Sequence, residues 1–287
     1  MSTIIIDAER CNGCGVCARV CSGPIEQAKK KSVPLILEPE ACIACGHCVA
    51  VCPVDAIWLG HVDMQNFPSV DRLIRLQPEG LLQFLRGRRS VRVYSKRSVS
   101  KRTVEQLLEA GRYAPTACNT QALDYVVVQQ PETLEAIARL CIEEHRADIL
   151  KLQDEVYLAS LDPAEAGNAR RDAEDSLEAI RRFDRDKGSL FFNAPGLIVV
   201  HASPKGPTTP AEDATLASFS IMLMAESLGL GTCYIGDFYL KANQNPTIKM
   251  RLAIPPENDI LIAFSFGYPA VRYRRLPDRR KPEVAWK

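Results

Sequence analysis

The chain has 287 residues, of which 46% are hydrophobic and 25% are charged, and its formal net charge is +1. This length accommodates one catalytic domain of about 200 residues and one small module. A net charge near zero excludes a global field that would attract nucleic acid or a membrane, so any anion site has to be local. The first residues lack the features of a signal peptide and no apolar stretch approaches the about 18 residues of a spanning helix, which predicts a cytoplasmic protein without a membrane partner.

Residues 1–61 contain an internal repeat that is marked by cysteine. Eight of the eleven cysteines lie within the first 52 residues, in two groups that share the spacing C-x2-C-x2-C-x3-C at an offset of 31. The groups are Cys11, Cys14, Cys17 and Cys21, and Cys42, Cys45, Cys48 and Cys52. A short run typical of a β-strand precedes each group, at 3–6 and at 35–37. Two copies of one small unit are the simplest interpretation.

The spacing within each group is that of bacterial two-cluster ferredoxins, in which the fourth cysteine of one group ligates the other cluster. It predicts two 4Fe-4S clusters in a ferredoxin-like domain. One cluster would be held by Cys11, Cys14, Cys17 and Cys52, and the other by Cys42, Cys45, Cys48 and Cys21. Glycines at positions 13, 15 and 46 are expected to ease close approach of the backbone. Tetrahedral zinc is the alternative, which this asymmetric spacing disfavours.

Residues 62–78, with prolines at positions 68 and 78, are interpreted as a linker to a second domain over 79–287. The expected helices of that domain lie at 81–85, 101–112, from 131 onward, over much of 142–187 and at 214–228. The expected strands lie at 125–128, 197–200, 232–236 and 260–266. Ser100 is the predicted N-cap of the second helix, and Gly229 marks the predicted end of the last. Helices and strands mixed in this order predict an α+β or α/β fold.

Residues 86–102 contain eight basic residues and no acidic one. A solvated face or a nucleic-acid patch would explain the charge alone. Guanidinium forks beside a serine hydroxyl favour a phosphate group instead, because both donate hydrogen bonds to phosphate oxygens. The sequence therefore predicts a local phosphate site.

Four blocks in this order resemble the nitroreductase family over nearly all of residues 79–282. The blocks are RRSVR at 88–92, APTACNTQ at 114–121, GLGTCYIG at 229–236 and GYP at 267–269, followed by a basic tail. The resemblance implies an α+β fold that binds FMN at the interface of an obligate homodimer. The sequence departs from the family pattern at two places. Thr116 replaces the commoner serine, and Ala122-Leu123 replaces a proline followed by an aromatic residue.

The resemblance assigns the FMN contacts residue by residue. Those to the phosphate and ribityl chain are Arg88, Arg89, Ser90 and Arg92, with Arg280 of the tail approaching from the other side and Arg279 or Lys281 as its substitutes. Those from the partner subunit are Pro115, Thr116, Ala117 and Asn119. Gly236 is expected to offer its backbone N–H to flavin N5, the reactive centre, and no catalytic side chain is assigned.

These features together predict an iron-sulfur flavoprotein oxidoreductase. An external low-potential donor, ferredoxin-type or similar, would reduce the clusters and then FMN, which passes two electrons to a small molecule such as a nitroaromatic, quinone or activated alkene. The alternatives are an oxidase or dehydrogenase, an electron-transfer or redox-sensing flavoprotein without organic turnover, and a flavin-dependent reductive dehalogenase. The interval 142–187 is expected either to cover the pocket, with Tyr157 and Phe183 as lining, or to form a solvated helix pair. Cys118 lies in the flavin-lining block, so a redox role for it stays open.

Overall fold

The structure, a computed structural model, describes residues 4–60, 62–63, 67–185, 189–205 and 209–287, without the side chains of residues 155, 158 and 159. The chain divides into two compact units. The first comprises Met1–Leu76 and Cys118–Thr120, and the second comprises Gln77–Ala117 and Gln121–Lys287. The domain boundaries expected at 61 and 78 stay predictions, and residues 61 and 64–66 of that region lie outside the described ranges.

The first unit repeats one strand-helix-strand arrangement. Its elements in chain order are β1 Ile4–Ile6, α1 Val16–Val20, β2 Ile25–Glu26, β3 Leu35–Ile36, α2 His47–Ala50 and β4 Ile57–Leu59. Each antiparallel pair joins a strand of one half to a strand of the other, because β1 pairs with β4 and β2 with β3. The predicted runs at 3–6 and 35–37 are confirmed as β1 and β3, although residue 3 lies outside the described residues and residue 37 is outside the strand.

The second unit is built on a four-stranded antiparallel sheet with the order β5-β6-β8-β7. The strands are β5 Asp124–Val128, β6 Gly196–Ala202, β7 Gly231–Tyr234 and β8 Asp259–Gly267. Every residue of β6 is buried, because hydrophobic clusters cover both faces of the sheet. The uninterrupted apolar run at 197–200 is typical of a strand buried on both faces, and that prediction is confirmed.

The second unit also contains helices, several of which pack against this sheet. They are α3 Pro78–Gly87, α4 Lys101–Arg112, α5 Pro131–Lys151, α6 Glu155–Ser160, α7 Pro163–Arg185, α8 Pro210–Ser227, α9 Gly236–Ala242 and α10 Pro246–Arg251. The predicted interval 142–187 contains the end of α5 and the helices α6 and α7, and its last two residues lie outside the described ranges. The predicted strand at 232–236 ends at Tyr234, because Gly236 begins α9. Among the described helices, none is both long and apolar enough to cross a membrane.

The two predicted helix ends are confirmed by their hydrogen bonds. The Ser100 hydroxyl accepts a hydrogen bond from the backbone N–H of Thr103 at 3.2 Å, which caps α4. Helix α8 ends where Gly229 adopts a φ of 72° and the Leu230 N–H donates to the Ala225 carbonyl at 2.8 Å. This bond satisfies a terminal carbonyl, and the left-handed conformation explains the glycine.

Candidate cofactor sites

Four cysteines from both groups line one small cavity in the first unit. Cys11, Cys14 and Cys17 come from the first group, and Cys52 comes from the second. The Cys52 sulfur accepts a hydrogen bond from the backbone N–H of Ala56 at 3.2 Å. The other lining side chains are mostly apolar and include Ile6, Pro34, Pro53, Val54 and Ile57. Burial raises the pKa of the Cys17 thiol, and the nearby Cys11 and Cys14 raise it further.

The remaining four cysteines gather around Cys48, which is buried on α2. Burial is the main cause that raises the pKa of the Cys48 thiol to about 11, and the nearby Cys21, Cys45 and Cys42 add to it. The structure therefore brings together the two predicted sets, each with its fourth member from the other group. Among the described residues, no three His, Cys, Asp or Glu side chains are placed to hold a single metal ion.

A basic cleft of about 310 Å³ lies in the second unit. It is lined by Arg88, Arg89, Ser90, Arg92, Tyr273 and Arg279. All four residues predicted from the RRSVR block to bind the phosphate therefore face one volume. Four guanidinium groups around it can donate hydrogen bonds in pairs to the oxygens of an anion.

The sheet positions the basic segment. Ser90 forms a parallel bridge to Thr232 of β7, and the Val91 N–H donates to the Thr232 carbonyl at 2.9 Å. This approach requires a glycine in β7, since a Cβ at Gly231 would lie 2.6 Å from the Cβ of Val91. Gly231 of the GLGTCYIG block thus has a packing role, because it lets the basic segment lie against β7.

The tail arginines occupy different environments. Arg279 lines the basic cleft, whereas the Arg280 guanidinium pairs with the Glu283 carboxylate in a contact where both side chains are 85% exposed. The structure therefore brings the predicted substitute, Arg279, to the phosphate residues and does not bring Arg280 there.

The predicted flavin-lining block forms a tight turn after α4. The Ala117 N–H donates to the carboxylate of Asp213 at 3.0 Å, and Asp213 is buried at the beginning of α8. The Gln121 N–H donates to the Thr116 hydroxyl at 3.1 Å, so the threonine that replaces the usual serine keeps its acceptor role. Pro115 precedes these contacts and is exposed.

Backbone strain is concentrated in the same turn. Cys118, Asn119 and Gln121 have φ values of 50°, 53° and 49°, which side-chain-bearing residues seldom adopt. Such strain persists only where surrounding contacts hold it, and it is common at functional sites. Within the first unit, the Asn119 amide donates to the Ile43 carbonyl at 3.0 Å. Cys118 is exposed.

Gly236 is the first residue of α9, so the helix leaves its N–H unused. A Cβ added there would meet no atom within 4 Å, which leaves this part of the backbone open to a planar ligand. The next residue, Asp237, is fixed on two sides. Its carboxylate pairs with Arg182 of α7, and its carbonyl accepts a hydrogen bond from His145 Nε2 of α5 at 3.1 Å.

Arg182 also connects α7 to the basic segment. Its guanidinium lies 5.1 Å from the ring centroid of Phe192, and that of Arg92 lies 5.7 Å from the same centroid. Of the aromatic residues expected to line a pocket under α6 and α7, Phe183 packs against the hydrophobic core and Tyr157 is 38% exposed.

Three residues of this site were not predicted from the sequence: Asp213, Arg182 and His145. Each resembles an ordinary residue of an amphipathic or charged helix. The available signal was weak, namely an acid in the first turn of an otherwise apolar helix at Asp213.

Two family models match this chain. The family model described as "Nitroreductase family" matches residues 85–268, and the one described as "4Fe-4S dicluster domain" matches residues 3–54. The chain belongs to the nitroreductase family. The predicted α+β fold and the oxidoreductase class are confirmed, with the 4Fe-4S region at the N-terminal end.

Three relatives illustrate the range of the similarity. The 4-nitrobenzoate reductase of Nocardioides sp. is 28% identical over 201 residues, which cover 64% of this chain and 78% of that protein. Iodotyrosine deiodinase 1 of Mus musculus is 22% identical over 221 residues, covering 77% and 73% of the two chains. A nitroreductase from Desulfitobacterium hafniense, solved with bound FMN, superposes with a TM-score of 0.53 at 20% identity, over 73% of this chain and 100% of that one. This structural likeness shows the fold.

Proposed function

We propose that this chain is an iron-sulfur flavoprotein reductase. Electrons from a low-potential donor would reach an electron-poor small molecule, such as a nitroaromatic, quinone or activated alkene, by way of two 4Fe-4S clusters and FMN. One observation carries the proposal: two crossed sets of four cysteines occur in the same chain as the four-arginine cleft of a nitroreductase-family domain.

The cysteine environments fit two clusters. Each set supplies four sulfur ligands, as a 4Fe-4S cluster requires. The apolar lining of the first cavity and the Ala56 N–H donated to Cys52 are features that tune cluster potentials in proteins. The first cluster is assigned to Cys11, Cys14, Cys17 and Cys52, and the second to Cys42, Cys45, Cys48 and Cys21.

The basic cleft fits the phosphate of FMN, because a dianion placed there would accept hydrogen bonds from several guanidinium groups at once. We assign this role to Arg88, Arg89, Ser90 and Arg92. We add Arg279 on the strength of its position in the cleft, and Arg280 remains the alternative from the family. When bound, FMN supplies the conversion from single electrons to a hydride released at N5.

The rest of the site would orient the flavin ring. The Gly236 N–H is available to the N5 position, and the Arg182–Asp237 pair keeps the start of α9 in place. The buried carboxylate of Asp213 keeps the turn of Pro115, Thr116, Ala117 and Asn119 in shape by accepting the Ala117 N–H.

A homodimer would complete the site, with that turn facing the flavin of the partner subunit. Large apolar side chains on the second unit support an interface: Leu216 and Phe219 of α8 are 44% and 42% exposed, and Trp286 of the tail is 91% exposed. Sedimentation velocity tests the stoichiometry, and a monomer that retains FMN would contradict the shared site.

Reductive dehalogenation is the second candidate, because one relative is named as an iodotyrosine deiodinase. An electron carrier or redox sensor without organic turnover is the third. A panel of nitroaromatic, enone and aryl halide compounds separates the three. A reductase reduces the nitroaromatic or the enone, a dehalogenase releases halide from the aryl halide, and a carrier or sensor forms no product.

The deciding experiment is anaerobic purification followed by iron and FMN analysis. Two clusters and one flavin predict about eight irons per flavin. A low-potential donor should then bleach the flavin absorbance, and a Cys14→Ser variant should keep FMN while losing donor-driven bleaching. Zinc in place of iron, or reduced iron centres that leave the flavin oxidised, would contradict the proposal.

A further inference from the structure

Within residues 4–60 of the first unit, the basic residues are distributed unevenly between the two halves of the repeat. Residues 4–31 contain five of them, namely Arg10, Arg19, Lys29, Lys30 and Lys31, and all five are exposed. Residues 32–60 contain no lysine or arginine, and their acidic residues are Glu38, Glu40 and Asp55. The acidic residues of the first half are Asp7, Glu9 and Glu26. Within residues 4–60, lysine and arginine are thus confined to the half that contains the first cysteine group, and the other arginines of the first unit, Arg72 and Arg75, follow β4.

Three of the basic residues form one loop between β2 and β3, the lysine loop Lys29–Lys31. The loop is closed by the backbone, because the Lys29 carbonyl accepts from both the N–H and the hydroxyl of Ser32, at 3.1 Å and 2.7 Å. Lys31 adopts a φ of 66°, so the chain reverses sharply there. The lysine side chains take no part in these bonds and are free to face a partner.

The lysine loop lies directly against the first cysteine turn. A Cβ at Gly13 would lie 2.6 Å from the carbonyl carbon of Lys31, so the two backbones are in contact. The Gln27 amide joins them, since its Nε2 donates to the Gly13 carbonyl at 2.9 Å and to the Ser32 carbonyl at 2.8 Å. For Gly13, contact with this loop is a physical reason for the predicted glycine.

We infer that the lysine loop is the docking surface for an acidic electron-carrier protein, which delivers electrons to the cluster assigned to Cys11, Cys14, Cys17 and Cys52. The inference rests on the proposed function. Opposite charges steer diffusing partners together, and they raise association rates by factors of about ten to a thousand. The neighbouring Cys14 is exposed, so this cluster would lie close to the surface that the partner covers.

The electron balance of the step is simple. The reduced centre of the carrier loses one electron and the cluster gains one, and no bond or proton changes place. Two such encounters supply the two electrons that one flavin passes on.

The test compares two triple variants with equal loss of charge. In Lys29→Gln, Lys30→Gln, Lys31→Gln the lysine loop is neutral, while Arg170→Gln, Lys205→Gln, Arg251→Gln removes three exposed charges from the second unit. The probe is a reduced acidic plant-type 2Fe-2S ferredoxin, mixed anaerobically at low salt with each holoprotein. Bleaching of the iron centres gives the rate, and calorimetry with oxidised ferredoxin gives the affinity.

Neutralising the loop should slow reduction by ferredoxin about tenfold or more, weaken its binding and flatten the salt dependence of the rate. The second-unit variant should match the wild type. Reduction by the small cation radical of methyl viologen should stay unchanged in all three proteins, which shows that the clusters are intact. Equal ferredoxin rates and affinities in both variants would overturn the inference, whereas failure of methyl viologen to reduce wild-type iron centres would overturn the proposed function itself.

Discussion

Two adjacent arginines in the tail provide a test at the scale of single residues. Arg279 lines the basic cleft, and Arg280 pairs with Glu283 in solvent. A hydrogen bond to a charged group contributes about 1.5–3 kcal/mol. We therefore expect Arg279→Gln to weaken FMN binding by about ten- to a hundredfold, and Arg280→Gln to have little effect. Fluorescence titration of the apoprotein measures both affinities, and the reverse ranking would return the role to Arg280.

Gly231 provides a second test at this scale, because it lets the basic segment approach β7. A Cβ at this position would collide with the buried side chain of Val91. Overpacking of this kind costs about 1–3 kcal/mol, so Gly231→Ala should lower the free energy of unfolding by that amount. Urea denaturation measures the change.

Two further variants separate collision from a general effect of alanine. Gly80→Ala makes the same chemical change on α3 where no atom lies within 4 Å, and it should be neutral or slightly stabilising. Adding Val91→Ala should recover part of the loss in the Gly231→Ala protein. Equal unfolding free energies for both glycine variants would contradict the packing role.

At the scale of elements, one buried histidine joins three helices beside the proposed flavin site. His145 of α5 is hydrogen-bonded to the Ser176 hydroxyl of α7 at 3.0 Å and to the Asp237 carbonyl of α9. Burial is the main cause that lowers the pKa of His145 below its ordinary value, and the Lys241 ammonium lowers it too. The hydrogen bond to the Asp237 carbonyl and the carboxylates of Asp237 and Asp148 oppose this shift. The folded state thus favours the neutral imidazole.

This pKa shift predicts how stability depends on pH. The unfolded chain binds the proton more readily than the folded chain. The contribution of the neutral His145 imidazole to the free energy of unfolding is therefore complete above the unfolded pKa of about 6.5, and it is lost as pH falls through the folded pKa. We expect the free energy of unfolding, measured from about pH 7.5 to about pH 5, to fall with pH. Protonation of this one imidazole lowers it by at most about 1.4 kcal/mol per pH unit. His145→Gln should be less stable at neutral pH and should show a smaller slope. His201, whose pKa is also lowered by burial, is present in both proteins, so parallel slopes would contradict the role of His145.

At the scale of the whole molecule, the two units should differ in their dependence on iron. The hydrophobic core of the first unit is small, with Ile4, Ile25, Cys48, Val49, Ile57 and Leu59 as its buried members. A core of this size seldom stabilises a domain by itself, and bound metal supplies the missing free energy in comparable small domains. The second unit has two larger clusters on either side of its sheet.

We therefore expect removal of iron to unfold the first unit only. After oxidative loss of the clusters, limited proteolysis should cleave within residues 4–60 while a fragment that starts near Gln77 persists. Its thermal transition should match that of the untreated protein. Protease resistance of residues 4–60 without iron would show that the apolar core suffices.

Local patterns in the sequence determined much of this protein. The cysteine spacing predicted which eight thiols gather in two crossed sets, because three members of each set lie within one short turn. Apolar runs predicted the buried strand β6, and Ser100 and Gly229 predicted helix ends, since caps depend on a few neighbouring residues. The RRSVR block predicted the basic cleft because its donors are contiguous.

Only the tertiary structure decided which distant groups meet. Asp213 holds a turn that lies 96 residues earlier, Arg182 reaches Asp237 across 55 residues, and Arg279 faces the cleft where its neighbour does not. The lysine loop meets the cysteine turn through the Gln27 amide. Such partnerships depend on how whole elements pack. Adjacent side chains on an extended tail point in different directions, and the sequence does not show which of them faces a cleft. A charged residue on a helix likewise has the same sequence pattern whether it faces water or a carboxylate of another helix.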